Sequence, residues 1–334
     1  MQDSSFDPKA LLLSEADVRA VLSMDDLIAA METALADFSA GRVTQPLRTV
    51  LEVGEHHAFY GVMPAYLPGT PALGTKLVTV FGGNTMLGLP THLALIVLLD
   101  PHTGALRALM DGRYITEART AAVSAVSVDH LAREDARTLA IVGSGVQARS
   151  HLEAISRVRD LSDVRVWSRS LARREAFLLD MQPHVTARIT MAASAEAAVR
   201  GADVVVLVTA SKEPVVRDEW VADGTHICAV GACRPTEREM PASLVARADV
   251  FVDSREGALK EAGDIVLAIG EGAITADHIR GELGEVAGGR AAGRGSPGRV
   301  TVFKSLGMAV EDVAAAHLAY VRARAQGRGR EWQF

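Results

Sequence analysis

The chain has 334 residues, of which 49% are hydrophobic and 4% aromatic, and its formal net charge at pH 7 is −6. This length suffices for two domains or one large domain with an ample core. The composition is that of a globular α/β protein. The acidic balance argues against nucleic acid as the main partner, and we find no apolar stretch long enough to span a membrane.

The two cysteines, Cys228 and Cys233, are five residues apart. Their spacing is neither a disulfide framework nor a zinc motif, so we expect a cytoplasmic protein without a metal. Residues 1–8 lack the basic and apolar regions of a signal peptide, and we expect no export signal there.

Two short helices are predicted first, because Ser14 and Ser23 each precede a helical pattern and have an Asp three residues later. Glycine-punctuated β-like runs follow, with Lys76 just ahead of an alternating strand and a hairpin turn at residues 100–104. An Ala-rich helix over residues 115–131 is expected to link a first domain to a second. The predicted strands cover residues 48–53, 76–81, 94–99 and 105–110.

From residue 137 the predicted strands and helices alternate, which indicates a doubly wound parallel sheet in an α/β fold. A Gly-rich surface loop is expected over residues 287–298. Residues 309–325 predict a helix that returns to the first domain. The predicted strands cover residues 138–143, 164–167, 189–192, 204–208, 226–230, 250–252 and 300–304.

The segment Gly-Ser-Gly-Val-Gln-Ala at residues 143–148 lies between a predicted strand and a predicted helix. Gly143 permits a tight turn, Gly145 lets the backbone approach a pyrophosphate, and Ala148 lets the helix pack closely on the strand. The helix N-terminus offers N–H groups to phosphates. An ordinary glycine turn is the alternative, but the context favours dinucleotide binding. The predicted ligand-binding residues are Gly143, Ser144, Gly145, Val146, Gln147 and Ala148.

The end of the next strand indicates which dinucleotide is bound. An NAD site usually has Asp or Glu there to hold the ribose 2′-OH, whereas this chain has Ser168, Arg169 and Ser170, with Arg173 one turn further on. Arginine and hydroxyl groups bind a 2′-phosphate that a carboxylate would repel. We therefore predict NADPH as the cofactor, with NADH as the alternative. Arg169 would bind the 2′-phosphate, or else it is a solvated loop residue.

Seven segments match, in order, the motifs of a known family. Together they resemble the ornithine cyclodeaminase/μ-crystallin family, which includes bacterial ketimine reductases and an alanine dehydrogenase. The resemblance implies a homodimer in which each subunit has an α+β substrate-binding and dimerisation domain (1–130 and 306–334) and a Rossmann NAD(P)-binding domain (131–305), with the active site between them. The matching segments are residues 74–79, 88–92, 111–122, 143–148, 229–235, 252–260 and 303–312.

The resemblance also implies roles for residues that would otherwise be taken as surface groups. Lys76 matches an active-site lysine, and Arg48 and Arg119 match arginines around the substrate carboxylate and the cofactor. An arginine suits a carboxylate because two parallel hydrogen bonds fix its orientation. His92 could also be merely a structural histidine. The further cofactor contacts that we expect are Thr91, His92, Arg119, Thr120, Val208, Thr209, Val230, Lys304 and Ser305.

One departure from the family separates two activities. Ornithine cyclodeaminases read Gly-Asp-x-Pro-Gly-Lys where this chain, aligned on Pro235, has Cys233 for the Asp and Glu237 for the Lys. Cysteine lacks the carboxylate's fixed charge and Glu reverses the lysine's sign, so cyclodeamination is disfavoured. Gly-Ala-Cys-Arg-Pro is similar to the Gly-Ala-Ser-Arg-Pro of ketimine reductases. Cys233 is either a small residue of the cleft wall or a reactive nucleophile.

The resemblance therefore implies NAD(P)H-dependent reduction of the cyclic ketimines Δ1-pyrroline-2-carboxylate and Δ1-piperideine-2-carboxylate to L-proline and L-pipecolate. Three alternatives stay open: an ornithine or lysine cyclodeaminase, an alanine or other amino-acid dehydrogenase, and a non-catalytic NADPH-dependent ligand-binding protein. The presence of Lys76, Arg48 and Arg119 favours an enzyme.

Overall fold

The computed structural model describes residues 9–333. These residues divide into two compact units: the first contains residues 9–119 and 308–333, and the second is Thr120–Gly307. The sequence-based domain limits at residues 130 and 306 stay predictions, as do the substrate-binding and cofactor-binding roles assigned to the two domains. Within residues 9–333, no helix has the length and hydropathy needed to cross a membrane.

The first unit contains a seven-stranded sheet in the order β15-β1-β6-β5-β4-β3-β2. From β2 to β6 the neighbouring strands are antiparallel, and β1 pairs parallel with β6. The strands are β1 (Lys9–Leu13), β2 (Thr49–Val53), β3 (Ala58–Leu67), β4 (Ala72–Val80), β5 (His92–Leu99), β6 (Leu106–Asp111) and β15 (Arg330–Gln333).

One face of this sheet is covered by helix α11 (Ala309–Gln326), which packs on β3, β4 and β5 and against α2 (Met24–Ser39). A Cβ at Gly74 of β4 would lie 2.7 Å from the carbonyl oxygen of Val97 and 3.4 Å from the Val313 side chain. Glycine therefore allows this close packing. The predicted serine caps are confirmed, since Ser14 accepts from the Asp17 amide at the start of α1 (Glu15–Val21) and Ser23 from the Asp26 amide.

The sequence-based strands of this unit need corrections. Lys76 lies in the middle of β4 and not ahead of a strand, and β1, β3 and β15 were not predicted. The interior of β3 contains Pro64, which normally argues against a central strand. Its pairing with β2 ends at Val62, so the missing N–H of Pro64 falls beyond that ladder. The hairpin turn at residues 100–104 is confirmed, with the Asp100 carboxylate accepting from the His102 and Thr103 amides.

The second unit contains an eight-stranded sheet in the order β13-β12-β14-β11-β10-β7-β8-β9. Every pairing is parallel, which confirms the predicted doubly wound sheet; β13 alone was not expected among these strands. They are β7 (Thr138–Val142), β8 (Asp163–Trp167), β9 (Arg188–Met191), β10 (Val204–Leu207), β11 (His226–Ala229), β12 (Asp249–Val252), β13 (Ile279–Glu282) and β14 (Thr301–Lys304).

Helices separate most of these strands, and apolar clusters lie on both faces of the sheet, with Val205 and Leu207 in one cluster and Val204 and Val206 in the other. Strand β7 pairs with β8 on one side and β10 on the other, so the strand order reverses there. Ligands bind at the carboxyl ends of strands at such a switch point. The helices of the chain's second half, with the one preceding it, are α3 (Arg113–Leu131), α4 (Val146–Val158), α5 (Leu171–Met181), α6 (Ala195–Val199), α7 (Ala242–Arg247), α8 (Arg255–Glu261), α9 (Gly263–Gly270) and α10 (Leu283–Ala287).

Candidate active site

The turn between β7 and α4 requires glycine at its first position. Gly143 has a φ of 127°, and a Cβ there would lie 2.7 Å from the Val208 carbonyl oxygen. Its amide donates to the Trp167 carbonyl at 2.8 Å. A side chain at residue 143 would therefore meet both backbone strain and a steric clash.

The second glycine of the turn leaves room for a ligand. Gly145 precedes α4 without a side-chain cap, and a Cβ at Gly145 would meet nothing within 4 Å. The buried Oε1 of Gln147 and the buried Oγ of Ser305 have no hydrogen-bond partner. Open space before an uncapped helix N-terminus suits a pyrophosphate, so the residues present fit a dinucleotide.

A cavity of about 570 Å³ lies beside this turn. Ser144 donates to Ser168 at 2.8 Å across the ends of β7 and β8, and the exposed Arg169 lines the cavity. The cavity brings together the predicted cofactor residues Gly143, Ser144, Gly145, Ser168, Arg169, Ser170, Arg173, Val208 and Thr209.

The remaining predicted cofactor residues do not line this cavity, and their roles stay predictions. Ala148 is a buried residue of the first turn of α4. Lys304 is fully buried, where its Nζ lies 3.0 Å from Asp264 Oδ2 and donates to the Ala232 carbonyl at 2.5 Å. The others are Thr91, His92, Arg119, Thr120, Val146, Gln147, Val230 and Ser305.

A buried carboxylate that sequence reasoning missed supports the cavity wall. Glu239 accepts from the amide and hydroxyl of Thr209 and from the Gly231 amide, each at 2.7 Å. Burial raises the pKa of Glu239 to about 7. The three hydrogen bonds of Glu239 join the loop that follows β10 to the loop that follows β11. Its neighbours in sequence are charged, so its pattern resembles an exposed segment and offered no signal.

The first unit holds a buried cluster of two cations and two carboxylates. Lys76 Nζ lies 2.5 Å from Asp312 Oδ2. The Arg119 guanidinium donates to Asp312 Oδ1 at 2.9 Å and to Glu311 Oε2 at 2.7 Å. Lys76 is only 2% exposed and both carboxylates are fully buried. The strand β4 therefore presents its lysine to the first turn of α11.

The charges of this cluster are set by burial and by mutual attraction. Burial, partly offset by Asp312 and reinforced by Arg119 and Arg48, lowers the pKa of Lys76 to about 8. Burial opposes ionisation of Asp312, but Arg119 and Lys76 outweigh it and lower its pKa. Burial and the nearby Lys76 lower the pKa of His92 to about 4. At pH 7 the lysine is therefore charged and the histidine neutral.

Sequence reasoning did not assign roles to Glu311 and Asp312, although both belong to the matching segment 303–312. They lie in the first turn of α11, where the helix dipole favours negative charge. The Gln45 side chain accepts from the Val310 amide at 2.7 Å and so caps the same turn. The sequence signal for these residues was an acidic pair at the start of a helix, but such a pair usually stabilises the helix N-terminus and does not indicate an active site.

The cluster's chemistry is that of carboxylate recognition combined with a proton donor. The charge of the half-buried Arg48 also lowers the pKa of Lys76, and the three predicted catalytic residues Arg48, Lys76 and Arg119 belong to the same unit. Guanidinium and ammonium groups bind carboxylates strongly when they are removed from water. A lysine with a pKa of about 8 is also poised to donate a proton near neutral pH.

The segment after β11 carries Cys233, which is exposed, and its thiol donates weakly to the Val230 carbonyl at 3.4 Å. Cys228 is buried in β11. No group of three or more His, Cys, Asp or Glu that could hold a metal ion was found in residues 9–333.

A parallel sheet with a dinucleotide-type cavity, together with a buried cation–carboxylate cluster, defines a nucleotide-dependent enzyme class that acts on small carboxylates. The ornithine cyclodeaminase/mu-crystallin family model matches residues 9–327. The chain belongs to that family.

Similar proteins support this assignment over nearly the whole chain. Ketimine reductase mu-crystallin of Rattus norvegicus is 46% identical over 297 residues, which are 88% of this chain and 91% of that protein. The structure of Thermococcus litoralis Delta(1)-pyrroline-2-carboxylate reductase in complex with NADH and L-proline has a TM-score of 0.94 at 39% identity, covering 96% of this chain and 99% of that one. An archaeal alanine dehydrogenase dimer with bound NAD has a TM-score of 0.93 at 33% identity, covering 98% and 99%.

Proposed function

We propose that this protein is an NAD(P)H-dependent reductase of cyclic ketimines that converts Δ1-pyrroline-2-carboxylate or Δ1-piperideine-2-carboxylate to L-proline or L-pipecolate. The observation that carries the proposal is the buried set of Lys76, Arg119 and Asp312, which suits a small carboxylate with an adjacent proton acceptor. Two of the similar proteins are a ketimine reductase and a Δ1-pyrroline-2-carboxylate reductase.

The roles of the chain's residues follow from their chemistry. Arg48 and Arg119 bind the substrate carboxylate and hold the imine in one orientation, which lowers the entropic part of the barrier. The Lys76 ammonium group donates a hydrogen bond, and then a proton, to the imine nitrogen. Bound NAD(P)H supplies the hydride that the imine carbon accepts. The C=N bond thus becomes CH–NH, with the added proton on nitrogen.

Cyclodeamination is less well supported, because residue 233 is a thiol and not a carboxylate. The second candidate function is an amino-acid dehydrogenase, which the similarity to the archaeal alanine dehydrogenase supports.

The assay that tests the proposal is NADPH and NADH oxidation with the five- and six-membered cyclic imines, compared with ornithine and with pyruvate plus ammonia. Reduction of the imines is expected. Turnover with ornithine alone, or with pyruvate plus ammonia alone, would overturn the proposal.

We propose NADPH as the preferred cofactor, and Arg169 as the residue that selects it. Replacing Arg169 by Ala should raise the Kd for NADPH about tenfold, since a charge-assisted contact is lost, and leave the Kd for NADH nearly unchanged. Calorimetric titration measures both. The Arg174→Ala variant is the control, because the Arg174 guanidinium donates to the Ala192 carbonyl at 2.7 Å. Equal losses for both cofactors would exclude Arg169 from phosphate binding.

A homodimer is the second part of the proposal. The face of the first unit's sheet away from α11 exposes large apolar side chains on β2 and on β5, two strands that β3 and β4 separate: Leu51 is 58%, Leu93 42% and Leu95 41% exposed. Leu51 pairs with Tyr60, Tyr60 with Thr79 and Thr79 with Leu93, and Leu95 is two residues from Leu93, so the three leucines share one face. Contiguous apolar surface of this kind marks an interface, and the similar alanine dehydrogenase is a dimer.

An Asp at residue 95 tests the interface, because a charge in an apolar contact between two copies is costly. Light scattering after size exclusion should find a dimer for the unmodified chain and a monomer for Leu95→Asp. The control is Leu179→Asp on α5, where the leucine is 72% exposed in the second unit. A Leu95→Asp protein that stays dimeric would contradict the proposed interface.

A further inference from the structure

Asp312 contacts both cations of the buried cluster with different oxygens. Its Oδ2 lies 2.5 Å from Lys76 Nζ and its Oδ1 accepts from Arg119 Nε at 2.9 Å. One planar carboxylate therefore determines the spacing of the ammonium and guanidinium groups. The two donors are thereby held side by side, so that Arg119 can bind the substrate carboxylate while Lys76 faces the imine nitrogen of the same molecule.

The charges around Lys76 make this contact decisive for its protonation. Burial is the main effect that disfavours the charged lysine, and Arg119 of α3 and Arg48, which precedes β2, disfavour it further. His92 of β5 is neutral at pH 7, since its pKa is lowered to about 4. Glu311 forms its ion pair with Arg119 at 2.7 Å. The carboxylate in contact with Lys76 is that of Asp312.

Resting on the proposed function, we infer that Asp312 is a positioning residue that keeps Lys76 protonated and aligns Lys76 with Arg119 for the substrate. Without its charge, a buried ammonium group beside two guanidinium groups loses its proton. Lys76 then has no proton to give to the imine nitrogen. Asp312 acts through Lys76 and Arg119 and does not itself touch the substrate.

The test compares Asp312→Asn with Glu311→Gln, because both variants disturb Arg119 but only the first removes the ion pair of Lys76. The probe is furan-2-carboxylate, a flat five-membered ring whose oxygen offers a lone pair in place of the imine nitrogen and which does not titrate between about pH 6 and pH 9. Its binding to the NADP⁺-saturated protein is measured by calorimetry across this range.

In the unmodified protein, binding should weaken above the Lys76 pKa of about 8. In Asp312→Asn this midpoint should lie at least about one pH unit lower, which is roughly a tenfold loss of affinity at alkaline pH. Glu311→Gln should keep the midpoint of the unmodified protein, and Asp312→Glu should restore it. Equal midpoints for the Asn variant and the unmodified protein, or equal shifts in the Asn and Gln variants, would overturn the inference.

Lys76→Arg keeps the inference testable even if Asp312→Asn does not fold. An arginine stays charged throughout this pH range, so the alkaline decline in binding should disappear; a persisting decline would show that another group titrates. Since no turnover is involved, the two proposals fail differently. Absence of any binding by the unmodified protein would overturn both, whereas an unshifted midpoint in the Asn variant would overturn the role of Asp312 alone.

Discussion

Replacing Lys76 by Ala should reduce imine reduction by roughly a hundredfold to ten-thousandfold, which is the usual contribution of a positioned proton donor. The buried ammonium group is the proposed proton source, and alanine offers neither a proton nor a charge. Dinucleotide affinity, measured by calorimetry, should stay within a factor of about two, because the predicted phosphate-binding turn lies in the other unit.

Two further variants make this result interpretable. Lys76→Met keeps most of the side-chain volume, and Asp312 keeps its contact with Arg119, so it separates the loss of the proton donor from a packing defect. Lys260→Ala is the matched control, since Lys260 is an exposed lysine paired with Glu256 at 2.9 Å, and it should retain full activity. Undiminished turnover by both Lys76 variants would remove this lysine from the mechanism.

Replacing Gly145 by Ala should weaken dinucleotide binding at least about tenfold, or about 1.4 kcal/mol, while thermal stability stays nearly unchanged. The added Cβ would meet nothing of the protein within 4 Å, and the residue has an ordinary negative φ of −84°. The methyl group would instead occupy the space through which the backbone approaches a pyrophosphate. Calorimetry measures the affinity and a thermal melt the stability.

Gly295→Ala provides the control for that experiment. A Cβ at Gly295 also meets nothing within 4 Å, and the residue lies in the same unit but outside the cavity lining. This variant should bind the dinucleotide as the unmodified protein does. If Gly145→Ala binds equally well, the pyrophosphate does not pass beside residue 145, and the assignment of the turn is wrong.

The parts of the structure that sequence predicted well are those encoded by neighbouring residues. The parallel sheet follows from short apolar strands that alternate with helices, and the turn at residues 143–148 carries its chemistry within six positions. The hairpin at residues 100–104 depends on the local hydrogen bonds of Asp100. Each of these features was found because its physical cause lies within one short segment.

The parts that sequence missed depend on contacts between distant segments. Asp312 pairs with Lys76 and Arg119, which come from a strand and a helix far earlier in the chain, and a local reading finds only an acidic helix start. Glu239 reads as one more charged residue of an exposed segment, yet it is buried against Thr209 and Gly231. Strand β3 was missed because Pro64 interrupts the strand pattern of the sequence. The structure tolerates this proline because the pairing of β3 with β2 ends at Val62.

The central claim is that a hydride moves from the cofactor to the carbon of a cyclic imine. It is tested most directly with NAD(P)H carrying deuterium at both hydrogen positions of the nicotinamide C4, with mass spectrometry of the product formed from Δ1-pyrroline-2-carboxylate. We predict L-proline that carries one deuterium at its C2 position, the carbon that bears the carboxylate. Unlabelled proline would contradict the account. So would a protein that forms no proline from the imine but converts ornithine with release of ammonia.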